Sequence, residues 1–181
     1  MASQRFEELL ERNRKIRDSY EAPPLLKDIV TMTPKRGAIC IISCADSRVN
    51  PEEFLGVRRG EALVIRNAGG RAADALRSLE VMGTIGDIDL IVVVHHSDCG
   101  GLFTTDDEVR AKLCERSPAH ASTIKDKWFG TFKDIGLDES IRHDVDVIRQ
   151  WPFLPVNARV VGYAFAIETG VLRQVVPGMQ A

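Results

Sequence analysis

Short apolar runs punctuate the chain, and none of them alternates with polar positions. Ala38–Ser43 (AICIIS), Ala62–Arg66 (ALVIR) and Leu90–His95 (LIVVVH) are each too short for a helix and read as buried strands. Continuous apolar strands of this kind suit a parallel sheet covered on both faces. A fourth strand is expected over Val160–Ile167, followed by a turn at Thr169–Gly170. Between the second and third runs, Ala75, Leu76, Leu79 and Met82 recur at helical spacing, so Ala72–Met82 completes a strand–helix–strand unit. A second stripe of Ile141, Val145 and Ile148 predicts a helix near Asp138–Gln150, with Asp138 as N-cap and Pro152 and Pro155 past its end. Phe103–Gly136 reads as one or two helices with a loop near Ser117–Pro118. The expected class is α/β, a three-layer α/β/α arrangement around a central, mainly parallel sheet of about four strands.

At the N-terminus, Phe6, Leu9, Leu10 and Ile16 fall near one face of a helix over roughly residues 4–20, which Pro23 and Pro24 would stop. This helix stands apart from the apolar runs, so it is expected to pack on another subunit. The organisation expected is one domain over 1–181, with residues 1–24 as a helical arm. A length of 181 residues and 44% hydrophobic content suit that reading. Basic and acidic residues nearly balance, 24 against 26, which leaves no electrostatic footprint for nucleic acid. No apolar run approaches the ~20 residues of a membrane span. The N-terminal segment lacks the apolar stretch of a signal peptide, and Glu7, Glu8 and Glu11 argue against a transit peptide. A reducing cytoplasmic location with free thiols is the expectation. Four cysteines are too few for a disulfide scaffold but enough for one metal site.

Ligands of open parallel sheets bind beyond the carboxyl ends of the strands. The first strand runs into Cys44-Ala45-Asp46-Ser47-Arg48, and the third into His96-Ser97-Asp98-Cys99-Gly100-Gly101. If these strands are neighbours, Cys44, His96 and Cys99 converge at one edge. Two thiolates and an imidazole form a tetrahedral zinc set with its fourth position open, the catalytic pattern. Taken singly, Cys44 is as well read as a buried thiol, and His-x-x-Cys recurs by chance. His95 competes with His96, but alternation along the strand sends it to the other face. Asp46 and Arg48 can be read as a carboxylate beside the metal fixed by a guanidinium, or as a surface ion pair. A third reading makes Asp46 the fourth ligand of a closed site. Gly69 and Gly70, after the second strand, lack nucleotide-loop spacing and fit a tight turn with close backbone approach. Cys40 and Cys114 read as packing thiols, and His120 and His143 as solvated.

C-A-D-S-R at 44–48, V-I-R-N-A-G-G at 64–70 and H-S-D-C-G-G at 96–101 together closely resemble the β-class carbonic anhydrases. The resemblance runs from about Gly37 to Phe103 and resumes more weakly at the Asp138 helix and at Val161–Leu172. It implies one zinc per subunit held by Cys44, His96 and Cys99, with Asp46 and Arg48 as the dyad beside it. It also implies a homodimer, or a dimer of dimers, whose N-terminal helix clasps the partner. The chain resembles the compact branch of the family, which is also similar to hydrolases of carbonyl sulfide and carbon disulfide. Where plant-type members carry a substrate-facing Gln, this chain has Arg58-Arg59-Gly60-Glu61.

The activity implied is reversible hydration of CO2 to bicarbonate. Zinc lowers the pKa of bound water from 15.7 towards ~7, a figure that comes from carbonic anhydrases with three histidine ligands. Two thiolates make a weaker Lewis acid, so activity is expected to rise with pH. Asp46 would orient the nucleophile, and backbone N–H groups near Gly100 would polarise a substrate oxygen. Hydrolysis of carbonyl sulfide by the same attack is the first alternative. A non-catalytic zinc protein with a closed site is the second. A neutral triatomic substrate also fits the small net charge of -2, since it needs no electrostatic steering.

Overall fold

The computed structural model describes residues 2–29 and 37–178. Two compact units are separable, Met1–Pro34 and Lys35–Ala181.

In the first unit, α1 spans Ala2–Arg17 and a short α2 spans Leu26–Ile29. The helix ends earlier than the prolines require. Ser19 closes it instead, its N–H and its hydroxyl both donating to the carbonyl of Ile16, and Arg14, Lys15 and Arg17 suit the negative end of the helix.

Among the described residues, the second unit is built on five strands. In chain order its elements are β1 Ala38–Cys44, α3 Pro51–Phe54, β2 Ala62–Asn67, α4 Ala72–Gly83, β3 Ile88–His96, α5 Asp106–Arg116, α6 Ala121–Ile124, α7 Gly136–Arg149, β4 Arg159–Ala166 and β5 Val171–Val176. The sheet order is β2-β1-β3-β4-β5. β1 lies between β2 and β3, parallel to both, and β3 is parallel to β4. The expected adjacency of the first and third strands is therefore present. Cys44 and His96, at the ends of their strands, reach the same edge.

β5 runs antiparallel to β4 and exceeds the expected four strands. Only Val175 and Val176 of its six residues are buried. An edge strand that is mostly solvated carries too little apolar signal to be read from the chain.

Cys40, Ile42, Ile91 and Val93 point to one face of the sheet, where Ala75 and Leu79 of α4 and Ile141, Val145 and Ile148 of α7 bury them. The predicted stripes are thus the packed ones. Asp138, however, is the third residue of α7 rather than its N-cap, because the helix starts at Gly136. Its carboxylate pairs with Arg173 of β5. On the opposite face, Ile41 and Val94 pack with Phe165 and Val49, and Phe54 of α3 stacks on Phe165. The rest of that face is an apolar groove of ≈ 990 Å³ between Ile39, Val92, Val161, Tyr163 and Leu172.

Within 103–136, α5 opens on a reciprocal cap between Thr105 and Glu108 and ends at Ser117. The following irregular stretch is tied back by Asp106, whose carboxylate accepts from the N–H groups of Phe129 and Thr131 and from the Thr131 hydroxyl at 2.6–3.0 Å. That tether delivers Phe132 to the end of the sheet.

Candidate metal centre

β1 ends at Cys44 and β3 at His96, and the turn after β3 brings back Cys99. All three side chains are buried, and their ligand atoms lie within 4.8 Å of one another. The two sulfurs are 3.9 Å apart. Two bonds of ~2.3 Å from a tetrahedral zinc would set them about 3.8 Å apart, so the pair needs little adjustment. His96 Nδ1 lies 2.7 Å from the Ser97 carbonyl, to which it can only donate. The lone pair is therefore on Nε2, which is buried without a hydrogen-bond partner. A buried acceptor beside two thiols is costly unless something binds it. The donor set fits zinc.

The two thiols interact directly. The Cys99 thiol beside it holds the Cys44 thiol down against the cost of burial, with help from His96 and from the N–H groups of Asp46 and Gly69. The same partnership pushes Cys99 up. Cys40, fully buried in the apolar core, is pushed up to about 12 by burial alone and is inert packing, as expected. Cys114 is a half-buried thiol on α5.

Asp46 and Arg48 meet as a bidentate pair. Arg48 Nε donates to Oδ1 at 3.0 Å and Nη2 to Oδ2 at 2.7 Å, while the Arg48 N–H adds a bond to Oδ1. These bonds hold the Asp46 carboxyl far below the usual carboxylate range. Both carboxylate oxygens are thus engaged by the guanidinium.

The end of β2 and the turn after it close the site from beside β1. Arg66 donates to the carbonyls of Cys44, Asp46 and Val49 at 2.6–3.0 Å, which fixes the loop that carries Asp46. Asn67 clamps the glycine turn by bonding both the N–H and the carbonyl of Arg71. Gly69 and Gly70 have positive φ, and a Cβ on Gly70 would come within 3.1 Å of the backbone at Ser43 and Cys44. The turn and the close approach expected for this pair are both present. Gly100 is exposed, with nothing within 4 Å of a would-be Cβ. The backbone N–H that reaches Cys99 belongs to Gly101.

Arg58 and Glu61 pair with each other at an exposed turn. His120 is exposed. His143 is only half-exposed and contacts Asp144.

Two features lay outside the sequence reading. Phe132 packs directly on Cys44 and Cys99, and its N–H donates to the Gly101 carbonyl. Behind the site, His95 turns away from the thiols, as alternation requires, into a buried polar network. Its Nδ1 meets Ser140 Oγ at 2.8 Å, and its Nε2 faces Asp144 Oδ2 and the Gly70 carbonyl at 3.1 and 3.2 Å. Asp144 also pairs with buried Arg71. Ser140 is wholly buried and donates to the Leu137 carbonyl, so this Ser–His–Asp set has no nucleophile to offer. The signal for it was present: Ser140 and Asp144 interrupt the apolar stripe of α7.

The sequence model of the carbonic anhydrase family matches residues 39–172. A carbon disulfide hydrolase from Acidianus sp. is 31% identical over 160 residues, covering 78% of each chain. β-Carbonic anhydrase 1 of Mycobacterium bovis is 30% identical over 145 residues, covering 80% of this chain and 85% of its own. The crystal structure of the carbonic anhydrase from Streptococcus mutans superposes with a TM-score of 0.78 at 30% identity, over 94% of this chain and 96% of that one. A family match of that length falls on a sheet edge already assembled around two thiols and an imidazole, and it places this chain in the β-carbonic anhydrase family of zinc enzymes.

Proposed function

We propose that this enzyme hydrates CO2 reversibly to bicarbonate and a proton, with Cys44, His96 and Cys99 as the zinc ligands and Asp46 and Arg48 as the dyad beside them. The observation that carries this reading is a convergence: the donor atoms of Cys44, His96 and Cys99 lie together, while Arg48 holds both oxygens of the neighbouring carboxylate. When bound, zinc supplies a Lewis acid and acidifies water at neutral pH. The chain's own groups supply the rest. Asp46, kept ionised by Arg48, accepts a hydrogen bond from the nucleophile and orients its lone pair at the substrate carbon. Arg66 and Asn67 hold the two loops that frame the site. Phe132, with Leu102 and Leu137, lines the thiol side with apolar surface, which suits a neutral substrate and sheds water. Gly69 and Gly70 allow the approach of the backbone that forms the second wall.

A second reading, hydrolysis of a sulfur analogue such as carbonyl sulfide, draws support from the relatives named as carbon disulfide hydrolases. Side-by-side kinetics of the zinc-replete enzyme on CO2, carbonyl sulfide and carbon disulfide decide between them. CO2 as the substrate with the highest kcat/KM supports the first reading. A far higher value for either sulfur compound overturns it.

We further propose a cytoplasmic homodimer or dimer of dimers in which residues 1–24 act as an arm. The exposed Phe6, Leu9 and Ile16 of α1 and the apolar lining of the sheet groove support a partner copy. The four free cysteines suit a reducing compartment. Among the described residues, no helix is long and apolar enough to cross a membrane.

A further inference from the structure

Arg48 carries two carboxylates, and only one belongs to the dyad. Its second partner is Asp98: Nη1 donates to Asp98 Oδ2 at 2.6 Å, and Nη2 donates to the Asp98 main-chain carbonyl at 3.0 Å. Asp46 stands on the loop after β1, two residues past Cys44. Asp98 stands on the loop after β3, between His96 and Cys99. Arg48 thus bridges the two loops that carry the ligand set.

The backbone at Asp98 is unusual. Its φ is +51°, and among the described residues it is the one non-glycine residue with a positive φ. This region is strained for side chains with a Cβ, and Asn and Asp tolerate it best. A surface ion pair of no consequence would account for one carboxylate contact. It would not account for a residue that holds a strained backbone while offering both its carboxylate and its carbonyl to a single guanidinium.

We propose that Asp98 is a positioning residue that fixes the Arg48 guanidinium from its far side, so that Arg48 keeps both oxygens of Asp46 and withholds them from the metal. The inference rests on the ligand set and dyad proposed above. Arg48 is half-exposed, with a side-chain relative accessibility of 51%. Without its second anchor its guanidinium is free to follow solvent. Asp46 then loses its hold, and its N–H already lies 3.4 Å from the Cys44 sulfur. The freed carboxylate competes for the metal's open position.

The test uses the full chain loaded with cobalt(II) and azide as the probe ligand, read by visible absorption. Four proteins are compared with wild type: D98N, D98G, D46A and the D46A/D98G double variant. Asn and Gly both accept a left-handed backbone, so folding is preserved. Azide is expected to bind D98G roughly ten-fold more weakly than wild type, as befits loss of a charge-assisted pair at a half-exposed site, with D98N between them. Removing the competing carboxylate restores binding, so D46A/D98G returns to within about two-fold of D46A. A merely structural role for Asp98 would weaken binding without that rescue. Azide affinity of D98G equal to wild type, or a double variant that binds no better than D98G, overturns the proposal. Wild-type protein without thiolate-to-cobalt charge-transfer absorption overturns the ligand set itself, a failure visible before any Asp98 variant is measured.

Discussion

Replacing Asp144 by Asn removes one charge from the centre of the buried network without changing its size. Asp144 is fully buried, and its two oxygens serve four groups: Arg71 Nη2 and His143 Nδ1 at 3.0 Å on Oδ1, and the Ala72 N–H and His95 Nε2 at 3.1 Å on Oδ2. An amide offers one acceptor where the carboxylate offers two, so at least one fixed donor, Arg71 Nη2 or the Ala72 N–H, is left facing another donor. Hydrogen bonds to a charged group are worth about 1.5–3 kcal/mol each, and breaking a buried ion pair costs about 3–5 kcal/mol in total. We therefore expect D144N to lose about 3–5 kcal/mol. For a chain of this size that lowers Tm by roughly 6–20 °C. The assay is thermal melting of zinc-loaded wild type and D144N under identical metal conditions, since bound metal shifts Tm by itself.

A pH series adds a signature. Burial opposes the Asp144 charge, but His95 and then Arg71 outweigh it and hold the carboxyl below its ordinary value. A group whose folded pKa is depressed contributes stability that is fully present above the unfolded value, about 3.9, and lost as pH falls through the folded one. The wild-type advantage over D144N should therefore shrink below about pH 4. A loss under roughly 1 kcal/mol at neutral pH, or an advantage that grows with acid, would refute the reasoning.

Other substitutions test the site from different sides. Cys99→Ser should lower bound zinc well below one per chain by elemental analysis, since an alcohol replaces one of two thiolates; full zinc retention would remove Cys99 from the ligand set. Phe132→Ala should cost about 3–5 kcal/mol in urea unfolding, because the ring is buried against Cys44, Cys99 and His95. Thr105→Ala, which opens the cap of α5, should cost only about 1 kcal/mol and leave zinc content unchanged.

The parts of this fold that sequence made legible are those written in contiguous residues. β1, β2 and β3 are apolar runs and were found within a residue or two of their ends. The stripes of α4 and α7 are periodic and pack as their spacing requires. Cys44 and the His96–Cys99 pair could be nominated because each follows a strand, but their meeting depends on strand order, which no apolar run specifies. What stayed hidden was written across distance. Phe132 reaches the thiols only because Asp106 anchors residues 129–131, a tether without periodicity. Arg66 looked like the polar end of a strand, yet it bonds three carbonyls of the opposite loop. Asp138 had the chemistry of an N-cap, but its partner, Arg173, lay on a strand too polar to be recognised.

The proposed activity is tested most directly by stopped-flow CO2 hydration with zinc-replete wild type and Asp46→Ala across pH 7–9. We predict rapid hydration by wild type that rises with pH, and a fall in kcat/KM of about 10²-fold or more in Asp46→Ala at unchanged zinc content. Zinc-replete wild type without measurable CO2 hydration across that range would contradict it.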